Sequence, residues 1–216
     1  MKVIHSSGWF SLCIQIGTII IDTYALSIKT PPSLHLVKQL LWIEYIVNLV
    51  ESSFYVWMVY HFTKIKNITV ARYYDWIVTT PIMLFTYSIY ILNKKKAQPD
   101  LYTAVYENKI ILVTIVLLNW TMLFFGYLSE TGNMDARIST PLGFIPFSLM
   151  FYLIYDNYAK YSSIGVKTFY YIIFIWGLYG VAALLSYNIK NVMYNILDLF
   201  SKNFFALFLA YLLIHK

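Results

Sequence analysis

Long apolar segments separated by short polar ones follow one another along the whole chain. Seven of them reach about 20 residues, the length that an α-helix needs to cross the hydrocarbon of a bilayer. Basic or proline-rich breaks such as Lys29-Thr30-Pro31-Pro32 and Lys94-Lys95-Lys96 separate these segments. The predicted spans are residues 9–28, 34–62, 70–92, 108–128, 134–157, 166–186 and 192–214. The pattern therefore predicts an all-α membrane protein, in which residues 1–216 form one domain with a bundle of seven transmembrane helices.

The composition supports a multi-pass integral membrane protein with the lipid bilayer as its first partner. The chain is 60% hydrophobic and 12% charged, whereas soluble domains carry about 25% charged residues. The single Cys13 excludes an intrachain disulfide. No small-residue cleavage site interrupts the first apolar segment, so we expect no cleavable signal peptide.

The basic residues predict the orientation of the bundle, because cytoplasmic loops are enriched in Lys and Arg. With the N-terminus outside and the C-terminus in the cytoplasm, and with Arg72 and Lys202 inside the spans left out, nine basic residues are cytoplasmic and five are external. We therefore expect this orientation. The cytoplasmic set is Lys29, Lys38, Lys94, Lys95, Lys96, Lys109, Lys160, Lys167 and Lys216, and the external set is Lys2, Lys64, Lys66, Arg137 and Lys190. The net charge of +6 then reflects topology and lipid contact rather than nucleic-acid binding.

The sequence shows no pattern typical of an enzyme or a metal site. The four histidines, His5, His35, His61 and His215, fall near membrane edges without the spacing of metal ligands. No Ser/His/Asp set is evident. A buried lysine can support aldolase-type chemistry, but that chemistry does not need a seven-helix membrane bundle. We expect neither an enzyme nor a bound metal.

Lys202 stands in the middle of the seventh apolar segment. A charged, unpartnered lysine at mid-bilayer depth costs several kcal/mol, so it is a functional hypothesis by default. The alternative is a side chain that reaches the interface, but the apolar run continues from Phe204 to Ile214. A desolvated amine is nucleophilic and can condense with an aldehyde to a Schiff base. Asp198, four residues earlier, lies on the same helix face and can neutralise the protonated imine.

Two further charged residues are predicted near Lys202. With the N-terminus outside, Asp75 lies roughly two turns below the outer surface, Asp198 at a similar depth, and Lys202 about 6 Å deeper. Arg72 precedes Asp75 by three residues and shares its helix face. One imine cation, one guanidinium and two carboxylates are close to neutral, which is the condition for burying such a group. For Asp75 alone, a helix-start cap is the alternative interpretation.

Aromatic and small polar side chains are expected at the depth of Lys202, and together they predict a long apolar slot for a ligand. Ordinary packing remains the alternative for any single Trp or Met among them. Thr80 and Asn119 can also form a hydrogen bond between helices. The candidate residues are Trp76, Thr79, Thr80, Asn119, Met122, Ser139, Thr140, Gly143, Trp176 and Tyr179.

Three motifs resemble those of the microbial (type 1) rhodopsins. The run Arg72–Pro81, RYYDWIVTTP, is similar to their helix 3, and Trp176-Gly177-Leu178-Tyr179 is similar to their helix 6. The Asp198-to-Lys202 spacing with Ser201 resembles their retinal-binding helix 7. The resemblance implies all-trans retinal bound as a Schiff base to Lys202, with Asp75 and Asp198 as counterions. It also implies that Asp75, with Thr79 and Arg72 beside it, accepts the proton in preference to Asp198.

Several positions depart from the proton-pumping members of that family. Thr86 lies eleven residues after Asp75, where outward pumps usually have a carboxylate donor. The segment 187–194, expected before helix 7, contains no carboxylate for proton release. Gly180 follows Tyr179 where many relatives have proline. These departures argue against fast and efficient pumping.

The predicted helix 2 carries a polar stripe, because Glu44, Asn48 and Glu51 follow helical spacing. A file of carboxylates and amides between helices 1, 2, 3 and 7 can hold water and a cation, as acidic pore linings do. Interhelical hydrogen bonds that seal the bundle are the alternative. The partners expected for the stripe are Ser11, Gln15, Asn195 and Asn203. A glutamate-bearing helix 2 resembles the channel-forming rhodopsins, most of all those of large viruses of algae. Asp22, near the inner end of helix 1, is interpreted as an interfacial residue rather than an entrance charge.

The leading functional hypothesis from the sequence is therefore a retinal photoreceptor that acts as a light-gated cation channel. The alternatives are an outward proton pump, with Glu44 or Glu51 as the donor, and a sensory photoreceptor that signals through a separate partner. The chemistry is assigned to Asp75, Asp198 and Arg72, and the transported species are cations or protons. The substitution Glu51→Gln is expected to change conductance more than colour. Whether the protein forms a homo-oligomer stays open.

Overall fold

The computed structural model describes residues 2–98 and 100–215, and seven helices account for most of this part of the chain. The predicted number and order of the helices are confirmed. Lys216, which was assigned to the cytoplasmic side, lies outside the described residues. The helices are α1 (Lys2–Ser27), α2 (His35–Tyr60), α3 (Ile68–Lys95), α4 (Leu101–Glu130), α5 (Ala136–Asn157), α6 (Ser163–Ala183) and α7 (Tyr187–Ile214).

Several helix ends differ from the predicted bounds because capping groups and polar faces extend helices beyond their apolar runs. In α4, which begins seven residues earlier than predicted, the Asp100 carboxylate accepts the Thr103 N–H at 2.8 Å. This backbone hydrogen bond also lowers the pKa of Asp100. The start of α7 at Tyr187 corrects the assignment of residues 187–194 to an outer segment before the helix. That stretch is amphipathic and turns Asn191 and Tyr194 into the bundle, so apolar character alone misses it.

The seven helices form a closed bundle in which α3 makes contact with α2, α4 and α6. The helix α1 packs against α2 and α7, and the sequence neighbours α4–α5, α5–α6 and α6–α7 also pack together. Six helices are long and apolar enough to cross a membrane, and α2 is not among them. Glu44, Asn48 and Glu51 lower the hydropathy of α2, yet all three are fully buried. Large apolar side chains such as Ile110 and Phe174 cover the outside of the bundle. An apolar exterior around buried charges is the arrangement of a multi-pass membrane protein.

Pro81 interrupts the backbone ladder of α3 next to the buried charges. Proline has no N–H for the carbonyl four residues earlier, which here belongs to Ile77. The indole Nε1 of Trp120, on α4, donates to that carbonyl at 3.0 Å. A side chain of the neighbouring helix thus supplies the hydrogen bond that Pro81 removes, as proline-containing membrane helices require.

A π-helical turn, Leu199–Asn203, lies in the middle of α7 and contains Lys202. The Phe204 N–H bonds to the Leu199 carbonyl, five residues earlier. The hydroxyl of Tyr171, on α6, donates to the carbonyl of Phe200 at 2.8 Å and satisfies a carbonyl of the widened turn. Turns of this kind occur inside α-helices and are frequent at functional sites. The apolar pattern of the sequence carries no signal for this turn.

Candidate functional site

Three carboxylates surround the buried amine of Lys202 at the middle of the bundle. Its Nζ lies 2.6 Å from Asp75 Oδ2, 3.6 Å from Glu51 Oε1 and 3.7 Å from Asp198 Oδ1. All four side chains are at most 1% exposed. The structure therefore brings together Lys202, Asp75 and Asp198, as expected from their depths, and adds Glu51.

Arg72 lies beside this centre but forms its ion pair with Asp198 rather than with Asp75. Its Nη1 is 3.2 Å from Asp198 Oδ2. The guanidinium also donates to the side-chain oxygens of Asn191, at 3.3 Å, and of Asn195. The buried guanidinium thus connects α3 to α7 through one ion pair and two amides. The role of Asn191 was not predicted, because the predicted seventh span begins at residue 192.

Two tyrosine hydroxyls complete the environment of Asp198. Tyr179 donates to Oδ1 at 2.7 Å, and Tyr55 donates to Oδ2 at the same distance. Tyr179 was predicted near Lys202, whereas Tyr55 was missed. A signal existed, since Tyr55 lies four residues after Glu51 and therefore on the polar face of α2. Asp198 is consequently held by two hydroxyls and one guanidinium.

Glu51 differs from the other two carboxylates of the centre. Its oxygens accept no hydrogen bond from the described residues, although one lies 3.6 Å from Lys202 Nζ. The sequence assigned Glu51 to a separate ion pathway near the middle of the membrane. Its place beside Lys202 could not be read from α2 alone, since helical spacing does not fix how two helices are rotated against each other. We refer to Lys202, Glu51, Asp75, Asp198 and Arg72 as the central cluster.

A cavity begins at Lys202 and extends between α3, α4, α5 and α6. It encloses about 790 Å³ of space between atoms, including its opening to the exterior. Tyr73, Phe144, Phe147 and Tyr194 contribute aromatic walls that were not predicted. The predicted residues that line it with Lys202 are Trp76, Thr80, Met122, Ser139, Thr140, Gly143, Trp176 and Tyr179. A largely apolar, aromatic cavity that ends on one buried amine fits a long apolar aldehyde.

Of the two threonines of α3 that were expected at the cavity, Thr80 lines it and Thr79 does not. Thr79 does not line the cavity; its hydroxyl donates to the main-chain carbonyl of Asp75 at 3.0 Å. The Thr80 hydroxyl lies 2.7 Å from the Trp76 carbonyl oxygen and 2.9 Å from Asn119 Oδ1, so the expected polar contact between the two helices is present. Thr80 therefore joins α3 to α4 at the wall of the cavity.

A second polar cluster lies where the first half of α2 faces the last part of α1 and the second half of α3. The Thr86 hydroxyl contacts Glu44 Oε1, and Asn48 Nδ2 donates to Asp22 Oδ2 at 2.8 Å. We call Asp22, Glu44, Asn48 and Thr86 the inner cluster. Asp22 and Glu44 are both fully buried, so Asp22 faces the interior of the bundle rather than lipid. The sequence of helix 1 alone gave no sign that Asp22 faces Asn48.

The other residues predicted for the ion pathway fall into two groups. Ser11 donates to the Asn195 carbonyl at 2.6 Å, and the Asn195 amide donates to Ser7 at 2.8 Å. These bonds join α1 to α7 on the Arg72 side of the bundle. Asn203 and Gln15 are fully or almost fully buried, and the polar atoms of both side chains have no hydrogen-bond partner among the described residues.

Comparison with known proteins gives consistent results over the whole bundle. The sequence model of the family described as bacteriorhodopsin-like proteins matches residues 6–216. The crystal structure of viral rhodopsin OLPVRII is similar with a TM-score of 0.87 and 26% identity, over 98% of each chain. Blue light-absorbing proteorhodopsin from Med12 has a TM-score of 0.77 and 19% identity, over 98% of this chain and 97% of the other. Green-light absorbing proteorhodopsin of Gamma-proteobacterium EBAC31A08 is 26% identical over 156 residues, or 64% of this chain. That match spans 59% of the length of the relative.

Proposed function

The chain belongs to the bacteriorhodopsin-like family of retinal-binding membrane photoreceptors, and we propose that it is a light-driven outward proton pump with retinal bound to Lys202. The observation that carries the proposal is the position of Lys202 between Asp75 on one side and the contact of Glu44 with Thr86 on the other. With the N-terminus outside, Asp75 faces the outer half of the membrane and Glu44 the inner half. The sequence favoured a channel because helix 2 carries a polar stripe and because Thr86 replaces the usual carboxylate of α3. Glu44 of α2 supplies a carboxyl at that same hydroxyl.

The cavity residues support retinal as the group that Lys202 binds. Trp76 and Trp176 are buried aromatic walls, and the ring of Trp76 packs edge-on against Tyr179 and Tyr194. Most of the cavity lining is apolar. Among the described residues, two buried polar atoms of the lining, Ser139 Oγ and Trp76 Nε1, have no hydrogen-bond partner. Retinal, when bound, supplies a light-driven isomerisation that changes the direction and proton affinity of the nitrogen at Lys202.

Asp75 is the acceptor that the distances favour. Its Oδ2 lies 2.6 Å from Lys202 Nζ, and its Oδ1 has no other hydrogen-bond partner among the described residues. Asp198 is already held by Arg72, Tyr55 and Tyr179, and bonds to an ionised carboxylate stabilise its charged form. Asp75 therefore has the capacity to take the proton from Nζ, while Asp198 keeps the site electrically balanced.

Glu44 is the group that returns a proton to Lys202 in this proposal. Glu44 lies seven residues before Glu51 on α2, which is about 10 Å along the helix. It is fully buried beside a neutral hydroxyl, and burial without a cation favours the protonated carboxyl. The proton acceptor and the proton donor thus lie on opposite sides of Nζ, which gives the transfer its direction.

Light-driven proton export tests the proposal. Cells that contain the protein and retinal should acidify an unbuffered medium under illumination, and a protonophore should abolish the change. Lys202→Ala should show neither acidification nor visible colour, since it lacks the amine that binds retinal. An unaltered protein that binds retinal and yet leaves the external pH constant in light would reject pumping.

A light-gated cation channel is the second candidate, and a separate observation supports it. Gln15, Glu51, Ser52 and Asn203 bury side-chain polar atoms that have no hydrogen bond among the described residues. Buried polar groups normally find partners, and a file of water or cations between α1, α2 and α7 would supply them. Replacing external sodium by a large organic cation should reduce inward photocurrent through a channel. It should leave a proton pump unaffected.

A further inference from the structure

The inner cluster contains a second carboxylate that the proposed pump does not yet use. Resting on the proposed function, we propose that Asp22 and Glu44 share one proton, which Glu44 holds at rest, and that Asp22 refills Glu44 after it has given its proton to Lys202. The site takes a proton from water or hydronium on the inner side. Asp22 is thereby a further proton-transfer residue, contributed by α1.

Asn48 lies on the face of α2 that carries Glu44, and its side chain contacts Asp22. Its Nδ2 donates to Asp22 Oδ2 at 2.8 Å, and its Oδ1 has no hydrogen-bond partner among the described residues. Glu44 lies four residues earlier on α2, so both side chains project from the same helix face. The amide therefore holds Asp22 against the face of α2 from which Glu44 projects.

The bonds of Thr86 indicate which carboxyl holds the proton at rest. The hydroxyl oxygen contacts Glu44 Oε1 and also lies 3.1 Å and 3.0 Å from the carbonyl oxygens of Ile82 and Met83. One hydroxyl proton cannot serve three acceptors, and threonine within a helix commonly gives it to a carbonyl of the preceding turn. The contact with Glu44 is then made by a proton on the Glu44 carboxyl, with Thr86 as the acceptor.

The charge balance leads to the same assignment. Asp22 and Glu44 are both fully buried, and their hydrogen bonds come from the neutral side chains of Asn48 and Thr86. Two ionised carboxylates in this setting would repel each other and lose their hydration, at a cost of several kcal/mol per ion. One shared proton removes the repulsion. The amide N–H of Asn48 favours the ionised form on Asp22, and the proton stays with Glu44.

The depths of the two residues give the order of transfer. Asp22 precedes the end of α1 at Ser27 by five residues, or about 8 Å along the helix. Glu44 follows the start of α2 at His35 by nine residues, or about 14 Å. Asp22 is thus nearer the inner ends of the helices. In the refilling step an O–H bond forms at Asp22 from hydronium, then breaks as the proton passes to the Glu44 carboxylate.

Time-resolved infrared spectroscopy of the protein with retinal separates this role from a structural one. In Asp22→Asn, we expect the first return of a proton to Lys202 to keep its rate within about twofold, because Glu44 is still loaded. Recovery of the protonated Glu44 carbonyl band should slow at least about tenfold, as for the loss of a general acid. Asp22→Glu should restore it. Asp156→Asn, which alters an exposed carboxylate paired with Lys160, should match the unaltered protein.

Each outcome decides the assignment. If Glu44 regains its proton at the normal rate in Asp22→Asn, the role of Asp22 is overturned, whereas the proposed pump is not affected. Should that variant not form pigment, Asn48→Ala keeps both carboxyls but removes the hydrogen bond that holds Asp22, and it must show the same slow recovery. Should the unaltered protein export no protons, the proposed pump fails, and the dark infrared spectrum still tests the shared proton. Glu44→Gln identifies the carbonyl band of the protonated Glu44 carboxyl, because that variant lacks the band. Asp22→Asn must shift this band in the dark, and an unshifted band would overturn the inference.

Discussion

The three carboxylates around Lys202 are not equivalent at the scale of the residue. Asp198 accepts bonds from Arg72, Tyr55 and Tyr179, whereas Glu51 accepts none from the described residues. Two cations and three carboxylates would carry one excess negative charge, and burial strongly disfavours such an imbalance. One proton on the centre restores neutrality, and Glu51 is the carboxyl least stabilised as an anion.

Isosteric amide substitutions test this difference. Glu51→Gln should shift the absorption maximum of the retinal-bound protein only slightly, because a neutral carboxyl is replaced by a neutral amide. Asp75→Asn should cause a large shift to longer wavelength, since it removes the negative charge that stabilises the cation at Lys202 before excitation. Absorption spectra of both variants in the same membrane preparation provide the measurement. A larger shift in Glu51→Gln than in Asp75→Asn would mean that Glu51 is the ionised group.

Gly180 is needed at the cavity wall because an aromatic ring occupies the space of a side chain. A Cβ at this position would lie 2.5 Å from Cζ of Phe144, which lines the same cavity. Gly180→Ala should therefore push Phe144 and lower the rate at which added retinal forms pigment. Gly177→Ala, on the same helix with no atom within 4 Å of the added Cβ, is the matched control. Equal rates of pigment formation in the two variants would contradict this role of Gly180.

At the scale of the element, two irregular helices position the central cluster. The proline of α3 and the π turn of α7 both lie within the helices that carry Asp75 and Lys202. Each irregularity frees a backbone carbonyl, and in each case a side chain of a neighbouring helix donates to it. The reactive groups thus stand on helices whose distortions are fixed by packing rather than left free.

The hydrogen bond from Trp120 to the Ile77 carbonyl tests whether contacts from α4 stabilise the distorted part of α3. Trp120→Phe keeps the aromatic ring and removes the donor, so the carbonyl opposite Pro81 loses its partner. We expect a loss of about 1 kcal/mol in the free energy of unfolding. Denaturation of the retinal-bound protein in detergent, followed by loss of colour, gives the value. Trp42→Phe, at an exposed indole of α2, should be near neutral, and an equal loss in both variants would rule out the proposed role of Trp120.

At the scale of the whole molecule, the sequence predicted the bundle well and the contacts between helices less well. Apolar runs gave all seven helices, and the i,i+4 spacing put Asp198 and Lys202 within 3.7 Å. Glu51 was placed on the polar face of α2, but its position beside Lys202 was not predicted, and neither was the contact of Asp22 with Asn48. Periodicity shows which face is polar, whereas the rotation and offset of neighbouring helices depend on packing across the bundle. The π turn likewise depends on tertiary contacts.

The packing of all seven helices around one buried centre supports the proposal that residues 1–216 form a single domain. It also orders the two clusters along the membrane normal, since α2 carries Glu44, Glu51 and Tyr55 in succession from one end to the other. With the N-terminus outside, this order runs from the cytoplasm outward. The direction of transport therefore depends on the orientation that the basic residues predict.

The voltage dependence of the photocurrent tests the central claim most directly. In cells that express the protein with retinal, illumination should produce an outward current at zero voltage without ion gradients, and the current should keep its sign at every applied voltage. This follows from a proton taken by Asp75 on one side of Lys202 and returned from Glu44 on the other. A photocurrent that vanishes without a gradient and changes sign with voltage would contradict the pump and identify a channel.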